Sequence, residues 1–180
     1  MEKKHAREVA ELHHVCIKSP LRDLGRRMCR VFYEAALKTD DNFGFVYVEN
    51  ATVLGFALAT KDNTCLFNSP SVFLELLLSL LRKPFLIKKI LSHLSNRFPP
   101  TPEVAYIAVE PRFRNRGIGQ KLLAAQHEAF RKRGIPYYMV RVDADNGPSL
   151  ALHQKVGAKI KGEFTEGGIR RLILYNRLDA

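Results

Sequence analysis

Between Arg114 and Gln120 the chain reads Arg-Asn-Arg-Gly-Ile-Gly-Gln, and apolar periodicity beyond it predicts a helix. Glycines at 117 and 119 let backbone approach a ligand closely. A helix start leaves several N–H groups unpaired at the positive end of its dipole, which suits a pyrophosphate. The stretch lacks the G-x-G-x-x-G of dinucleotide folds and the G-K-[ST] ending of a P-loop, so neither hydride transfer nor nucleotide hydrolysis is favoured. Taken alone, G-x-G is equally the start of an ordinary helix with solvated arginines. Metal chemistry has little support, since there is no H-E-x-x-H and no clustering of His, Asp and Glu. Cys16, Cys29 and Cys65 are odd in number and lack C-x-x-C spacing, so they read as reduced, partly buried thiols rather than a disulfide framework or zinc site.

The elements around this turn follow from periodicity and breakers. Ala6 to Val15 and Leu24 to Leu37 read as amphipathic helices separated by Lys18-Ser19-Pro20. Phe43 to Val48 and Val53 to Ala59 read as a hairpin over Glu49-Asn50-Ala51-Thr52. Val72 to Leu81 and Phe85 to Leu94 read as two apolar helices, a helical insertion at about 70–100. Such stripes usually pack on a core; the alternative is a docking surface for a partner, a lipophilic substrate or a membrane face. Neither stretch reaches the roughly 20 residues needed to cross a bilayer. Pro99-Pro100-Thr101-Pro102 stops helix formation. A strand over Glu103 to Val109 precedes the glycine turn, and a helix over Arg116 to Arg133 follows it, ended by Gly134 and Pro136. Tyr137 to Val142 is a strand, Pro148 to Val156 a short helix ending at Gly157, and Lys159 to Phe164 with Ile169 to Tyr175 a closing hairpin over Thr165-Glu166-Gly167-Gly168.

At 180 residues, 46% of them apolar and 26% charged, the chain suits one folded domain over 1–180. The N-terminus Met-Glu-Lys-Lys-His-Ala-Arg-Glu-Val lacks a secretory signal, which leads to the expectation of a cytoplasmic protein. A formal charge of +11 attracts polyanions, whether nucleic acid, acidic lipid headgroups or phosphate-rich cofactors. The basic residues are scattered in pairs and triples such as Arg131-Lys132-Arg133, and no nucleic-acid motif is present, so nucleic acid is not the expected partner.

Context decides the glycine turn. Val109-Glu110-Pro111 leading into Arg114-Asn115-Arg116-Gly117-Ile118-Gly119 resembles the V-x-P and R-x-x-G-x-G of the GNAT superfamily of acyl-CoA-dependent N-acyltransferases. A second stretch, Asn146 to Gly157, is similar to the family motif that opens with Asn and closes on glycine after a short helix. The resemblance covers Glu103 to about Ala158, whereas Ser69 to Pro102 is longer than the family's usual connection. It implies an α+β fold of three layers, with a central mixed, splayed sheet flanked by helices. It implies acetyl-CoA as cofactor, its pantetheine arm paired to backbone at Ile107, Ala108 and Val109. One N–H there would polarise the thioester carbonyl. The pyrophosphate would lie on backbone at Arg114, Asn115, Arg116, Gly117, Ile118, Gly119 and Gln120, with Asn146 and Ser149 approaching from the second motif.

The resemblance also implies direct transfer to an amine, with no cysteine nucleophile. An alkyl ammonium titrates near 10.4, so a base must take its proton. Glu103 stands where some family members place a catalytic glutamate, and simple alternation puts it on the face of Ala105, Ile107 and Val109. Where the family usually carries a tyrosine to protonate the departing thiolate, this chain has His153, four residues past Ser149. A surface histidine titrating near 6.5 is the competing reading of that position; Tyr138 and Tyr175 are fallback donors. The expected reaction is acetyl transfer to a small primary amine, an amino sugar first, with a protein amino group as the alternative. A non-catalytic CoA-binding or regulatory domain, suggested by the missing tyrosine, and a polyanion-binding module are the rivals from other classes.

Overall fold

Six strands and seven α-helices form around one sheet in a computed structural model, which describes residues 1–95 and 98–178 and leaves the side chains of Cys65, Leu94 and Ser95 undescribed. Asn96 and Arg97, inside the expected insertion, lie outside the described residues, as does the Cys65 thiol. The strands are β1 (Asn42–Glu49), β2 (Thr52–Thr60), β3 (Glu103–Val109), β4 (Tyr137–Asp143), β5 (Lys159–Glu166) and β6 (Ile169–Arg177), in the order β1-β2-β3-β4-β6-β5. All neighbours are antiparallel except β3 and β4. Both hairpin turns use two residues at positive φ, Asn50 with Ala51 and Gly167 with Gly168, the conformation that matches strand twist.

One face carries α1 (Ala6–Cys16), α2 (Pro20–Leu24), α3 (Arg26–Ala36), α4 (Pro70–Arg82) and α5 (Ile87–Ser95). Its core joins Val9, Met28, Phe32, Tyr33, Phe56 and Ala108. The other face carries α6 (Ile118–Lys132) and α7 (Gly147–Lys155) over Leu123, Phe130, Tyr138 and Leu174. The expected three layers are therefore present.

Two expectations need correction. The helix read from Leu24 to Leu37 is two helices, because Gly25 at φ 113 turns the chain between α2 and α3; Ser19 caps α2 by accepting from Arg22 N–H at 3.1 Å. Glu103 does not share a face with Ile107. The register slips where Leu58 opposes Tyr106 but Ala59 opposes Val104, so Ala105 is a bulge. The bulge reverses the alternation: Val104 packs with Leu123 and Phe130 on the α6 side alongside Ile107, and Glu103 turns to the α1–α5 side. α4 packs Val72, Leu76 and Leu80 on the core as expected, beside buried Glu75 and Ser79, and also exposes Phe73, Leu74, Leu77 and Leu81.

Candidate active site

Among the described residues β3 and β4 pair only at Glu103 opposite Met139, where Met139 N–H donates to Pro102 O at 2.8 Å. Beyond that point the parallel strands part. Glu110 N–H donates to Leu54 O at 2.9 Å, so antiparallel alternation turns the backbone of Ala108 toward β2 and that of Ile107 and Val109 into the gap. Val109 O accepts there from Arg114 Nε at 3.3 Å and from Cys16 Sγ at 3.7 Å. A cavity of about 870 Å³ fills the gap. β3 supplies Glu103, Tyr106 and Ile107 to its wall, β4 supplies Arg141 and Asp143, and α7 supplies Asn146, Ser149 and His153. The far wall is mostly apolar, with Leu21, Leu24, Met28, Phe67, Val72 and Phe73, and carries Ser19, Asn63, Thr64 and Asn68 beside them.

The glycine turn lies at the outer end of β3, beyond the cavity. Asn115 at φ 62 and Gly117 at φ 75 adopt left-handed backbone, and Gly117 is the N-cap of α6, with no side chain capping the helix. First-turn N–H groups therefore lack intrahelical partners and point outward. A Cβ built at Gly117 meets nothing within 4 Å, which leaves room for a bulky anion, whereas one at Gly119 would come to 3.4 Å from Leu152 Cδ2. Arg114, Asn115, Arg116 and Gln120 are exposed; Ile118 is buried in a cluster with Leu54 and Leu122, so only its backbone faces the turn. Asn146 is the N-cap of α7 and accepts from Ser149 N–H at 3.2 Å.

The profile of the acetyltransferase (GNAT) family matches residues 6–158. The chain belongs to the GNAT acetyltransferase family. Mycothiol acetyltransferase from Saccharomonospora viridis is 34% identical over 64 residues, 34% of this chain and 21% of that protein, so the chain spans about a fifth of that curated relative's length. The ribosomal-protein-S18-alanine N-acetyltransferase of Escherichia coli superposes with a TM-score of 0.65 at 14% identity, covering 100% of this chain and 92% of that one. A Salmonella typhimurium chain solved with its cofactor acetyl-CoA superposes with a TM-score of 0.66 at 16% identity, again covering 100% and 92%. The residues of the present chain fit acetyl-CoA: an uncapped helix start beside open space, two strand residues whose N–H groups turn into a gap, and a buried imidazole without a protein partner lining that gap.

That imidazole is His153. It is fully buried, neither ring nitrogen has a protein partner, and it lines the cavity. The competing surface position is thus excluded, and the expected titration near 6.5 is corrected, since burial, with His127 nearby, lowers its pKa to about 4 and keeps the ring neutral at pH 7. Glu103 is buried, and Arg141 holds both its oxygens, Nε at 2.8 Å and Nη2 at 3.2 Å. Burial pushes its pKa up against the opposing pull of that guanidinium. Tyr138, a fallback donor, donates and accepts within the core, with His127 Nε2 at 2.9 Å and Asn176 Nδ2 at 3.1 Å; neither it nor Tyr175 lines the cavity. Burial raises the Cys16 thiol and pushes Cys29 up to about 12, so both stay protonated, in keeping with transfer that needs no cysteine.

Local sequence gave no sign of the charged network beside Glu103. His93 Nδ1 lies 2.7 Å from Glu166 Oε1, Arg171 Nη1 2.8 Å from Glu166 Oε2, and Arg171 Nε 3.2 Å from Asp143 Oδ1. Burial pushes the Glu166 carboxyl up, but the His93 hydrogen bond and charge, with Arg171 and Arg141, bring it below the usual range. The one available signal was an arginine on β4, two residues past Met139, the partner of Glu103, which requires the sheet order to read.

Proposed function

We propose that this GNAT protein acetylates the primary amine of a small molecule whose body is largely apolar. The observation that carries the reading is that a single cavity takes in Glu103 from one side of the sheet and His153 from the other, with a mostly apolar far wall. An amino sugar, the expectation from sequence, would set hydroxyls against Leu21, Leu24, Met28, Phe67 and Val72, leaving them unpaired at a cost. An apolar amine meets those walls without that cost.

Acetyl-CoA, when bound, supplies a thioester whose carbonyl carbon forms the new C–N bond as the C–S bond breaks. Glu103 draws the ammonium into the cavity and takes its proton, directly or through water; its raised pKa makes it a better base than an exposed carboxylate. Ile107 or Val109 donates a backbone N–H to the thioester oxygen, a donor already in place before reaction. Neutral His153 would donate an N–H hydrogen bond to the departing sulfur, stabilising it as a thiolate that takes its proton from water, where most of the family uses a tyrosine. Backbone from Asn115 to Gln120 binds pyrophosphate, while Asn146 and Ser149 border the pantetheine path.

Turnover with a set of amines, from amino sugars through aryl- and alkyl-amines to peptides, tests this at neutral pH. Aryl- or alkyl-amines should be preferred, with His153→Ala about 10²-fold slower, His153→Tyr keeping much of the activity, and Glu103→Gln raising the pH needed for turnover. Preference for peptides would move the acceptor to protein amino groups. Cofactor binding without turnover of any amine would point to a non-catalytic domain, and an alanine variant as fast as the parent would remove His153 from the chemistry.

A further inference from the structure

α4 is apolar on two faces. A surface helix normally pairs an inward apolar stripe with a polar outer face, but here Val72, Leu76 and Leu80 pack on the core beside buried Glu75 and Ser79, while Phe73 (68% exposed), Leu74, Leu77 and Leu81 (72%) face out. Positions 73, 74, 77 and 81 form one stripe along the helix. Phe85, 77% exposed, extends it at the turn toward α5, on which Leu91 is also exposed. Ion pairs hold this orientation, since the buried Glu75 carboxylate meets Arg27 Nε at 2.9 Å and Arg82 Nη1 at 3.9 Å. Single exposed apolar residues need no explanation, but a stripe of large ones on one helix does.

Charge identifies what fits the stripe. From Pro70 to Ser95 the chain carries Arg82, Lys83, Lys88 and Lys89 against Glu75 as the single acidic residue, within a chain of formal charge +11. Apolar side chains flanked by exposed Arg and Lys are the pattern of a helix lying in a bilayer interface, drawn there by anionic headgroups. α4 has 13 residues, and no helix among those described is long and apolar enough to cross a membrane, so the helix would lie on the bilayer rather than span it. A second copy fits less well, because it would bring a face with the same basic residues and no free carboxylate against this one, Glu75 being buried and paired. Phe67 and Phe73 both line the cavity and are exposed, so the stripe reaches the cavity's mouth.

We propose that the outward face of α4, with Phe85, Arg82 and Lys88, docks the protein on an anionic lipid bilayer with the cavity mouth at Phe67 and Phe73 turned toward it. Docking does not depend on which amine is acetylated. The purified full chain is sedimented with phosphatidylglycerol–phosphatidylcholine vesicles and with phosphatidylcholine vesicles alone. The parent should partition onto the anionic vesicles and more weakly onto the neutral ones. Leu74→Gln/Leu77→Gln/Leu81→Gln, which keeps every charge, should lower anionic partitioning at least tenfold, and Phe85→Gln, outside the helix, should lower it in the same direction if the triple variant loses its fold. Failure of the parent to bind anionic vesicles overturns the proposal. Undiminished binding by folded apolar-face variants also overturns it, assigning the attraction to net charge alone. So does a parent that dimerises through this face while the triple variant is monomeric, because a second copy would then cover the stripe.

Discussion

The two sides of the β3–β4 gap bury polar groups in opposite ways. Around α6 and α7 the buried histidines are uncharged: burial lowers His127 and His153 each to about 4. Around α4 and α5 the buried carboxylates are paired, Glu75 with Arg27, Glu103 with Arg141, and Glu166 with His93 and Arg171. Each arrangement suits a different guest. Pyrophosphate and a departing thiolate are anions, best met by backbone and imidazole N–H donors with no carboxylate beside them. An arriving ammonium is best met by a carboxylate.

The comparison breaks most visibly at the paired charges. Arg141→Ala leaves the Glu103 carboxylate buried without its partner and should cost about 3–5 kcal/mol of stability, read from urea unfolding. A loss below about 1 kcal/mol would mean that Glu103 is held by something other than its guanidinium.

Smaller effects come from the uncharged histidines. His13, hydrogen-bonded to Tyr33 and Ser19 at 2.7 Å each, is lowered by burial to about 3 and joins His127 and His153. In the unfolded chain these groups titrate near 6.5. Below that value the unfolded state binds protons that the folded state does not, so this stability is present above about pH 6.5 and is lost as pH falls toward 4. Glu103, with its raised pKa, runs the other way. Each histidine should account for on the order of 1–2 kcal/mol between pH 7.5 and pH 5. His153→Gln isolates one of them: its unfolding midpoint should fall less between those pH values than the parent's, and equal falls would show that His153 is not buried neutral.

The strand, turn and helix around the glycines were legible in the sequence because backbone and breakers build them. Pro102 and Pro111 bracket β3, whose bounds match the expectation, and Gly117 supplies the left-handed turn into α6. The acceptor side was not legible because distant side chains build it. Arg141 lies 38 residues from Glu103, and the bulge at Ala105 that turns Glu103 to the other face has no residue signature. Periodicity identifies a stripe on α4 but not which way it faces; that is set by Arg27 reaching Glu75 from α3. Likewise, the spacing of His153 places it on a helix face and cannot reveal that the face is buried.

Acetyl-CoA binding at the start of α6 is tested most directly by calorimetric titration of three proteins: the parent, Gly117→Glu and Gly134→Glu. Gly117 and Gly134 lie at opposite ends of α6, both at positive φ and both with open space where a Cβ would stand. The two substitutions therefore impose similar backbone strain and the same added charge. The parent and Gly134→Glu should bind acetyl-CoA alike, and a folded Gly117→Glu should lose about 10²-fold or more in affinity, because its carboxylate occupies the place of the pyrophosphate. Parent-like affinity in folded Gly117→Glu would contradict the placement of the cofactor.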